Sequence, residues 1–540
     1  MASAPAIRVI GRPAAAPARA AATADPYANR YLIAITVTLA AVMELIDTSI
    51  VNVAIPHMMG NLGATLDQIT WVSTGYIIAN VVVLPITGWL SALFGRRRYL
   101  AGSIALFTIA SFFCGNSHSL VELVSFRILQ GLGGGALLST AQAVLYEVFP
   151  PEEYGIAMAI FGMGIMVGPT LGPTLGGYIT DTWSWPWIFF INIPFGIVAF
   201  LLSATYIGDS RHAQKVGRID YVGLLLLALG IGTLQTLLER GERLDWFASR
   251  QIVTLAIVSG VSLVALVWHE LRTDHPVIDL SVLRSRQLAA GLAFGGVLGV
   301  CLYATVFVLP VYLQVLQHYT ANQTGLVILP GALASAFVMA FIGRFRGRYD
   351  PRLAIVLGVS IFMVAMWQHA HFTTLSGGGD FLLPLILRGF GLGMIFVPLT
   401  NLSLADLPMA KIPAGTGLFN LFRQLGGSLG IAISATLLGH FEAQAHARLA
   451  ESVTRYGVVS SQRLAALTQT MIARGAAPGV AESRAIAMLD GEVTRQALML
   501  SFERLFLMFG MGFALSLPLL FLMRHAKANP GSAPAGESSQ

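Results

Sequence analysis

The stretch that decides the fold is Glu44-Leu45-Ile46-Asp47-Thr48-Ser49-Ile50-Val51-Asn52-Val53-Ala54-Ile55-Pro56, the end of an apolar run that begins at Tyr31. The run is about 25 residues long, which is enough to cross a bilayer. It therefore predicts a membrane span that carries two carboxylates, Glu44 and Asp47. Acidic side chains in a span are costly and usually face a bundle interior or a water-filled path.

The spacing of these two carboxylates suggests a function. Glu44, Asp47, Thr48 and Val51 follow i, i+3, i+4, i+7 spacing, so we expect them to share one helix face. Two carboxylates this close in a low dielectric resist ionising together, so one of them is expected to hold a proton near neutral pH. This predicts a proton carrier. The alternative is a neutral carboxyl group that bonds to a neighbouring helix and serves packing only.

The composition predicts an all-α polytopic membrane protein. The 540 residues are 55% hydrophobic and only 11% charged, with a mean hydropathy of +0.71, whereas a soluble domain averages about 25% charged residues. Long apolar runs recur from end to end. We predict fourteen spans at 31–55, 69–93, 98–115, 120–147, 155–180, 186–208, 220–239, 250–270, 288–314, 323–343, 352–371, 380–405, 413–440 and 498–523.

Loop charges predict the topology. Arginines or lysines follow most even-numbered spans, whereas the loops 56–68, 115–119, 181–185, 315–322 and 372–380 contain neither. This alternation places both termini in the cytoplasm. The +6 net charge is therefore a topology signal and not a nucleic-acid footprint.

The sequence also contains an internal repeat. Arg127 followed by spaced glycines is echoed at Arg388, and the loop from Gly88 to Arg98 is echoed at Gly343 to Arg348. Both echoes lie about 250–260 residues apart, which implies six spans, an inserted pair and six more; paired halves are the usual plan of secondary transporters. The predicted segments are a disordered cytoplasmic N-terminus 1–30, an N-terminal bundle 31–208, a linker with two extra helices 209–287, a C-terminal bundle 288–523 with an outer loop 441–497, and a cytoplasmic tail 524–540.

Two glycine-rich motifs are candidate conformational elements. Gly88 and Gly95 permit a tight turn after the second span, where Arg96 and Arg97 can meet helix C-termini or acidic partners across the two halves. Simple positive-inside anchoring is the alternative. In the fifth span, small residues at four-residue spacing make a groove for another helix, and prolines bend the helix. The residues concerned are Gly168, Pro169, Gly172, Pro173, Gly176 and Gly177.

Buried polar residues are candidates for a substrate pocket. Arg127 is a candidate to act on a nearby carboxylate, because a guanidinium stays charged and needs a partner. Anchoring near the interface is the alternative for Arg127 and Arg388, and an interhelical hydrogen bond is the alternative for each amide. The predicted pocket residues are Asn52, Gln130, Tyr303, Phe307, Arg388, Asn420, Arg423 and Gln424.

Several classes of function lack their signatures. The sequence has no Gly-x-x-x-x-Gly-Lys-Ser/Thr loop, so ATP-driven transport is disfavoured. No Ser/His/Asp constellation stands out, and the two cysteines, Cys114 and Cys301, give no metal spacing. We therefore predict a protein that is not an enzyme and needs no cofactor or metal.

At these motifs the chain resembles the major facilitator superfamily, and more narrowly the fourteen-span drug:proton antiporter family 2, the EmrB/QacA group. Further stretches carry the resemblance, including Trp187 to Gly196, Asp245-Trp246-Phe247 and Pro276 to Leu280. Asp47 matches the family's first-span acidic position, Arg127 its fourth-span arginine, and the Gly168–Gly177 run its antiporter signature. The superfamily loop usually has Asp where this chain has Ala92, and Glu44 is an additional carboxylate.

The resemblance implies proton-driven export of hydrophobic or amphipathic toxicants across the bacterial inner membrane by alternating access. It also implies an EmrA-like periplasmic adaptor and an outer-membrane channel as partners. An exporter of one endogenous metabolite or siderophore is the alternative within transporters. A membrane scaffold without transport is the alternative outside them, and the repeat and the buried carboxylates argue against it.

Overall fold

The computed structural model describes residues 29–208, 219–344, 349–454 and 456–523, apart from the side chain of Thr170. Thirteen described helices are long and apolar enough to cross a membrane, and the bent helix Tyr154–Thr182 makes a fourteenth. Spans 1 to 14 are Arg30–Leu62, Leu66–Phe94, Arg96–Gly115, Leu120–Val148, Tyr154–Thr182, Trp187–Tyr206, Tyr221–Arg240, Arg250–Glu270, Arg286–Val315, Ala321–Arg344, Pro351–Ala370, Gly378–Leu404, Met409–Ser452 and Pro478–Leu522. The predicted all-α fold is confirmed. The predicted N-terminal segment up to residue 28, the tail 524–540 and the loop segments 209–218 and 345–348 lie outside the described residues.

Local sequence sets several helix ends. The helix of span 1 ends at Leu62 and is capped by Gly63, whose φ of 60° is a left-handed conformation that glycine adopts readily. Thr65 and Gln68 then form a capping box that starts span 2. Gly95, with a φ of 82°, makes the turn between spans 2 and 3 that the glycine motif predicted.

Spans 1–6 and spans 9–14 meet along two seams. In the first seam spans 5 and 10 pack closely near both ends: a Cβ on Gly343 would lie 2.3 Å from the Gly155 carbonyl oxygen, and one on Gly325 would meet Thr174. We call the side of the membrane bundle where span 1 begins the N-terminal side, and the opposite side the far side.

The second seam joins span 2 to span 13. Its contacts lie mainly in the second half of span 2, toward the N-terminal side. There a Cβ on Gly88 would lie 2.9 Å from the Ala414 nitrogen, and one on Gly417 would lie 2.6 Å from the Leu84 carbonyl oxygen. Gly88 and Gly343 thus have corresponding places in the two seams, as the sequence echo suggested.

Span 7 of the inserted pair, spans 7 and 8, bridges the second seam near the far side. Arg240 at the end of span 7 pairs with Asp67 of span 2 (Nη2–Oδ1 2.8 Å). On the other half, Gln235 Nε2 donates to Ser428 Oγ of span 13 at 2.8 Å. Span 7 therefore fills the wall of the bundle between spans 2 and 13.

The predicted outer loop 441–497 is helical. The helix of span 13 continues to Ser452, a separate helix covers Val458–Ala473, and the helix of span 14 begins at Pro478. Glu492 pairs with Arg463 at 2.7 Å and raises the pKa of its guanidinium. The predicted spans, which ended at residue 440 and began at residue 498, are shorter than these helices. Hydropathy marks only the part of each helix that crosses the bilayer.

Candidate functional site

Asp47 lies in a closed polar cluster inside the N-terminal half. Arg127 Nη1 lies 2.5 Å from Asp47 Oδ2, while Gln130 Nε2 and Asn192 Nδ2 donate to Oδ1 at 2.9 and 2.7 Å. Gln130 also donates to Ser111 Oγ at 2.6 Å. Asp47 is 0% exposed and Arg127 only 1%. Both carboxylate oxygens of Asp47 therefore have charged or amide partners, as a buried charge requires.

Aromatic rings enclose the guanidinium of Arg127. Its Cζ lies 4.1 Å from the centroid of the Tyr76 ring and 5.6 Å from that of Phe189, and its Nε donates to the Val72 carbonyl oxygen at 3.1 Å. Cation–π contact of this kind supplements the ion pair where water is absent. The arginine that the sequence singled out is thus held on all sides by spans 1, 2, 4 and 6.

Glycines of span 4 allow this arrangement. A Cβ on Gly131 would lie 2.4 Å from the Tyr76 carbonyl oxygen, and one on Gly134 would lie 2.6 Å from the Tyr76 hydroxyl. The spaced glycines that follow Arg127 in sequence therefore let span 2 approach span 4 at the level of the ion pair.

Glu44 has a different environment from Asp47. Asn80 Nδ2 donates to its Oε1 at 2.9 Å, whereas Oε2 is buried without a hydrogen-bond partner among the described residues. The residue is 3% exposed and lines a cavity between the two halves. The Tyr76 hydroxyl and the Glu44 side chain both lie against Gly134, where an added Cβ would come within 2.6 Å of the hydroxyl and 3.3 Å of Glu44 Cγ.

The expected single face of span 1 is therefore divided. Glu44 and Thr48 line the cavity, whereas Asp47 and Val51 turn into the packed N-terminal half. An α-helix rotates about 100° per residue, so Asp47 and Thr48 point in clearly different directions although both are near neighbours of Glu44. The prediction that the two carboxylates share one face is corrected to two adjacent faces.

The cavity has a volume of about 540 Å³ and a mostly apolar wall. It reaches from Glu44 in the middle of span 1 to Pro56, and its other walls come from spans 2, 5, 7, 9, 10, 12 and 13. Its polar or ionisable lining residues are Glu44, Thr48, Ser49, Asn52, Glu239, Tyr303, Thr305, Gln314, Thr324, Arg388, Gln424 and Ser428.

Five of the eight predicted pocket residues line this cavity, namely Asn52, Tyr303, Phe307, Arg388 and Gln424. Arg388 is 6% exposed, and the Thr305 carbonyl oxygen lies 3.5 Å from its Nη1. Gln424 Oε1 accepts from the Tyr303 hydroxyl at 3.2 Å. These contacts fix polar groups from spans 9, 12 and 13 along one wall.

The other three predicted pocket residues lie outside the lining. Gln130 belongs to the Asp47 cluster. Asn420 donates to Gln142 Oε1 at 2.9 Å and thereby joins the two halves. Arg423 is 0% exposed and donates to the Tyr303 hydroxyl at 2.9 Å from behind the cavity wall. Their place differs from the prediction because a helix presents only part of its circumference to the cavity.

Sequence reasoning missed two contributors to these sites. Asn192 stands in a stretch that the sequence singled out, but nothing in the sequence paired it with Asp47. Glu239 lines the cavity from the inserted span 7. In the sequence, Glu239 is a carboxylate at the end of an apolar run and close to Arg240 and Glu242. This pattern is typical of an ordinary boundary between a span and a loop.

The glycine motif of span 5 positions span 1. A Cβ on Gly172 would lie 1.8 Å from Ser49 Oγ, and Gly168 and Gly176 contact span 1 in the same way. The predicted groove is thus occupied by the helix that carries both carboxylates. The neighbouring face of span 5 contributes Pro169 and Pro173 to the cavity.

The arginines after span 2 contact span 6 and span 4. Arg96 pairs with Glu147 and donates to the Gly208 carbonyl oxygen at 2.8 Å, and Arg97 donates to the Ala204 carbonyl oxygen. These contacts fit the expected helix C-terminus and acidic partner. The acidic partner of Arg96 is Glu147, which lies in the same half of the protein and not across the two halves as expected. Together these contacts join spans 3, 4 and 6.

Within the described part of the chain, no group of three or more His, Cys, Asp or Glu side chains could hold a metal ion. Cys114 and Cys301 are buried free thiols.

Known proteins resemble this chain over nearly its whole length. The model of the Major Facilitator Superfamily matches residues 37–431. The multidrug export protein EmrB of Haemophilus influenzae is 36% identical over 92% of this chain and 95% of its own. The fatty acid resistance protein FarB of Neisseria gonorrhoeae is 35% identical over 91% and 96%. A crystal structure of XylE carrying two tryptophan substitutions shares the fold, with a TM-score of 0.60, 13% identity and coverage of 93% and 97%.

Proposed function

Because the chain belongs to the Major Facilitator Superfamily and is an EmrB-like permease, we propose that it exports hydrophobic or amphipathic toxic compounds in exchange for protons. Its superfamily and fold are those of a transporter rather than an enzyme. One observation carries the proposal: an apolar cavity between the two halves has a buried carboxylate, Glu44, in its wall. Apolar cavities with a few placed polar groups are typical ligand sites.

Alternating access is supported by where the halves touch. Glycine contacts close the second seam toward the N-terminal side, whereas the cavity reaches toward Pro56 on the far side. With both termini in the cytoplasm, the cavity lies on the outer side of these glycine contacts, where Gly325 against Thr174 and the bridging span 7 still join the halves. Exchange requires only that proton and substrate favour different states of one site.

The coupling groups are Glu44 and Asp47. We propose that Asp47, paired with Arg127, is the obligatory proton carrier and that Glu44 modulates it from the cavity. Protonation of Asp47 would weaken the ion pair that joins spans 1 and 4, and Tyr76 contacts both sites. No cofactor is needed, because the proton gradient supplies the driving force.

A substrate screen tests the function. The chain is expressed in a bacterial strain that lacks its own efflux pumps, and resistance is measured for cationic, neutral and anionic toxicants. We expect resistance to several unrelated amphipathic compounds. Resistance to none, together with export of one endogenous metabolite or siderophore, would support the dedicated exporter instead.

The helical segment 441–497 is proposed as the docking site for an EmrA-like adaptor, which would lead to an outer-membrane channel. Near the start of its helix Val458–Ala473, the side chains of Tyr456, Val458 and Val459 are 95%, 70% and 80% exposed. Apolar side chains exposed together mark interaction sites. Changing all three to serine is expected to reduce adaptor cross-linking and resistance while leaving membrane insertion intact. Deleting 450–490 is the coarser version, and persistence of both cross-linking and resistance after the deletion would refute docking.

The proposed location is the bacterial inner membrane with both termini in the cytoplasm. Single cysteines at Asn61 and Ser376 should react with an impermeant thiol reagent from outside. A cysteine at Ser210, which lies outside the described residues, should react only from inside. Reversed labelling would overturn this orientation.

A further inference from the structure

We infer that the connection between the two inserted spans, residues 240–249, is a strap that holds the second seam closed on the far side and releases span 13 when the cavity opens there. We call this segment the outer strap. The inference rests on the proposed export function and adds an element that controls exit from the cavity. It gives the inserted helix pair a part in the transport cycle.

The outer strap lies where the two halves do not pack on each other directly. Spans 2 and 13 touch mainly toward the N-terminal side, where a Cβ on Gly88 would lie 2.9 Å from the Ala414 nitrogen. Toward the far side span 7 lies between them, and Glu239 near its end lines the cavity. The contacts that hold span 7 to both halves therefore also close this part of the cavity wall.

One end of the outer strap is bound to the N-terminal half by charge. Arg240 pairs with Asp67 at 2.8 Å, and its Cζ lies 4.9 Å from the centroid of the Trp71 ring. Arg243 Nη1 donates to Thr70 Oγ1 at 3.2 Å. Two guanidinium groups thus hold the strap to the start of span 2.

The attachment to the C-terminal half is weaker. Among the described residues, one hydrogen bond runs from the outer strap to span 13, in which Trp246 Nε1 donates to Thr436 Oγ1 at 2.9 Å. Deeper in the seam, Gln235 of span 7 donates to Ser428. Both are neutral hydrogen bonds, which are about half as strong as charge-assisted ones. When the halves separate, we therefore expect the strap to stay on span 2 and to leave span 13.

The backbone of the outer strap is strained at the end that we expect to be released. Asp245 and Trp246 have φ angles of 53° and 50°, a left-handed conformation that is costly for residues other than glycine. Neighbouring contacts maintain it. Trp246 N donates to the Gly241 carbonyl oxygen at 2.7 Å, and a Cβ on Gly241 would lie 2.5 Å from the Trp246 ring. Strain of this kind is found at segments that switch conformation, because release of Trp246 from span 13 lets the backbone relax.

Release also preserves most apolar contacts of the tryptophan. The Trp246 ring packs against a cluster that contains Leu237 and Leu238 of span 7 and Ile252 of span 8. These residues belong to the inserted pair and stay with Trp246 when span 13 moves away. The strap can therefore leave span 13 without exposing a new apolar surface of its own.

Thiol labelling tests whether the outer strap closes the cavity. The full-length protein carries Val53→Cys, a position in the cavity lining, in right-side-out membrane vesicles, and an impermeant thiol reagent is added outside. The two native cysteines are buried, and protein without Val53→Cys gives the background. Thr436→Val and Trp246→Phe remove the acceptor and the donor of the strap bond. Phe247→Leu, at a neighbouring side chain that is 67% exposed, is the matched control.

We expect Thr436→Val and Trp246→Phe each to speed labelling about fivefold, the change expected when one neutral hydrogen bond is lost. The double variant should be no faster than the faster single one, because both substitutions remove the same bond. Phe247→Leu should leave the rate within about twofold. Unchanged labelling in both single variants, or equal acceleration by Phe247→Leu, would overturn the strap.

Reversible cross-linking tests whether the strap must release span 13. Trp246→Cys/Thr436→Cys is joined by a short, reducible bis-methanethiosulfonate, and Thr70→Cys/Arg243→Cys is the control that joins the strap to span 2. Efflux of ethidium, a cationic dye, and of Nile red, a neutral one, is followed in proteoliposomes under an imposed pH gradient. The first cross-link should stop export of both dyes until reductant is added, whereas the second should leave export unchanged.

The two readouts separate the strap from the proposed function. If wild type moves neither dye, the proposed function fails, and the labelling rates still decide whether the strap closes the cavity. If wild type exports the dyes and the two cross-links act alike, the strap is refuted while export stands.

Discussion

Asp47 and Glu44 stand three residues apart on one helix, yet they occupy opposite kinds of site. Asp47 is 0% exposed, and both of its oxygens are satisfied by Arg127, Gln130 and Asn192. Glu44 has one amide donor and an unpaired oxygen in the cavity wall. The first carboxylate is tied to the fold of the N-terminal half, whereas the second is available to a ligand.

This difference separates conformational coupling from recognition. Breaking a buried ion pair leaves its partner charge uncompensated, so a change of charge at Asp47 must be accompanied by rearrangement of spans 1 and 4. A change at Glu44 can instead be compensated by a proton or a cation in the cavity. The two sites are linked through Tyr76, whose ring covers Arg127 and whose hydroxyl lies beside Glu44 at Gly134.

The largest expected effect comes from Asp47→Asn. Asparagine keeps the size and hydrogen-bonding capacity of the side chain but does not titrate, so efflux driven by a pH gradient should fall to the background. The loss of the buried pair should also cost about 3–5 kcal/mol of stability. Dye efflux from proteoliposomes and thermal unfolding in detergent measure the two effects.

The double variant Asp47→Asn/Arg127→Gln distinguishes these effects. Removing the uncompensated guanidinium should restore most of the lost thermal stability without restoring efflux. If efflux returned with stability, Asp47 would be a structural residue. Wild-type efflux in Asp47→Asn alone would move the coupling role to Glu44 or another carboxylate.

Glu44→Gln should have the next largest effect. Glutamine can still accept from Asn80, and it removes a buried carboxylate that lacks a full set of partners, so thermal stability should not fall. We expect cationic dyes to be exported about tenfold more slowly, equivalent to about 1.4 kcal/mol, with neutral dyes less affected. Initial efflux rates measure this. A loss equal to that of Asp47→Asn for every dye would mean that the two carboxylates act as one site.

Gly172→Ala should disturb both sites moderately through the helix that carries them. The added Cβ would meet Ser49 Oγ at 1.8 Å and displace span 1 from span 5, which should cost about 1–3 kcal/mol. Gly177→Ala is the matched control, because its Cβ would make ordinary contacts at 3.9 Å and beyond. Thermal midpoints and efflux are compared. Equal behaviour of the two variants would show that the groove does not position span 1.

The smallest effects on the overall efflux rate should come from the two asparagines. Asn192→Ala removes one donor from a buried charged group, which should cost about 1.5–3 kcal/mol of stability, measured as a lower Tm. Asn80→Ala removes the only hydrogen-bond donor to Glu44 within the described residues, so it should alter the preference between ethidium and Nile red more than the Tm. If instead Asn192→Ala changed the dye preference and Asn80→Ala lowered the Tm, Asp47 would be the recognition site and Glu44 the structural one.

The sequence predicted much of the fold because the bilayer imposes simple rules on it. Apolar length gave the spans, since each must cross a hydrocarbon layer of fixed thickness. Spaced glycines marked close helix contacts, and Gly172 against Ser49 and Gly88 against Ala414 are such contacts. The echo of Gly88 at Gly343 indicated the paired halves.

By itself the sequence determined which residues were too costly to place in a membrane without a role: Glu44, Asp47, Arg127 and Arg388. Only the tertiary structure decided their partners, because those depend on the rotation of each helix and on which span lies beside it. It turned Asp47 toward Asn192 and Glu44 toward the cavity, and put Arg423 behind Tyr303. It also brought Glu239 of the inserted span 7 into the wall of the same cavity as Glu44, about 200 residues away in sequence, a placement that helical spacing alone does not specify.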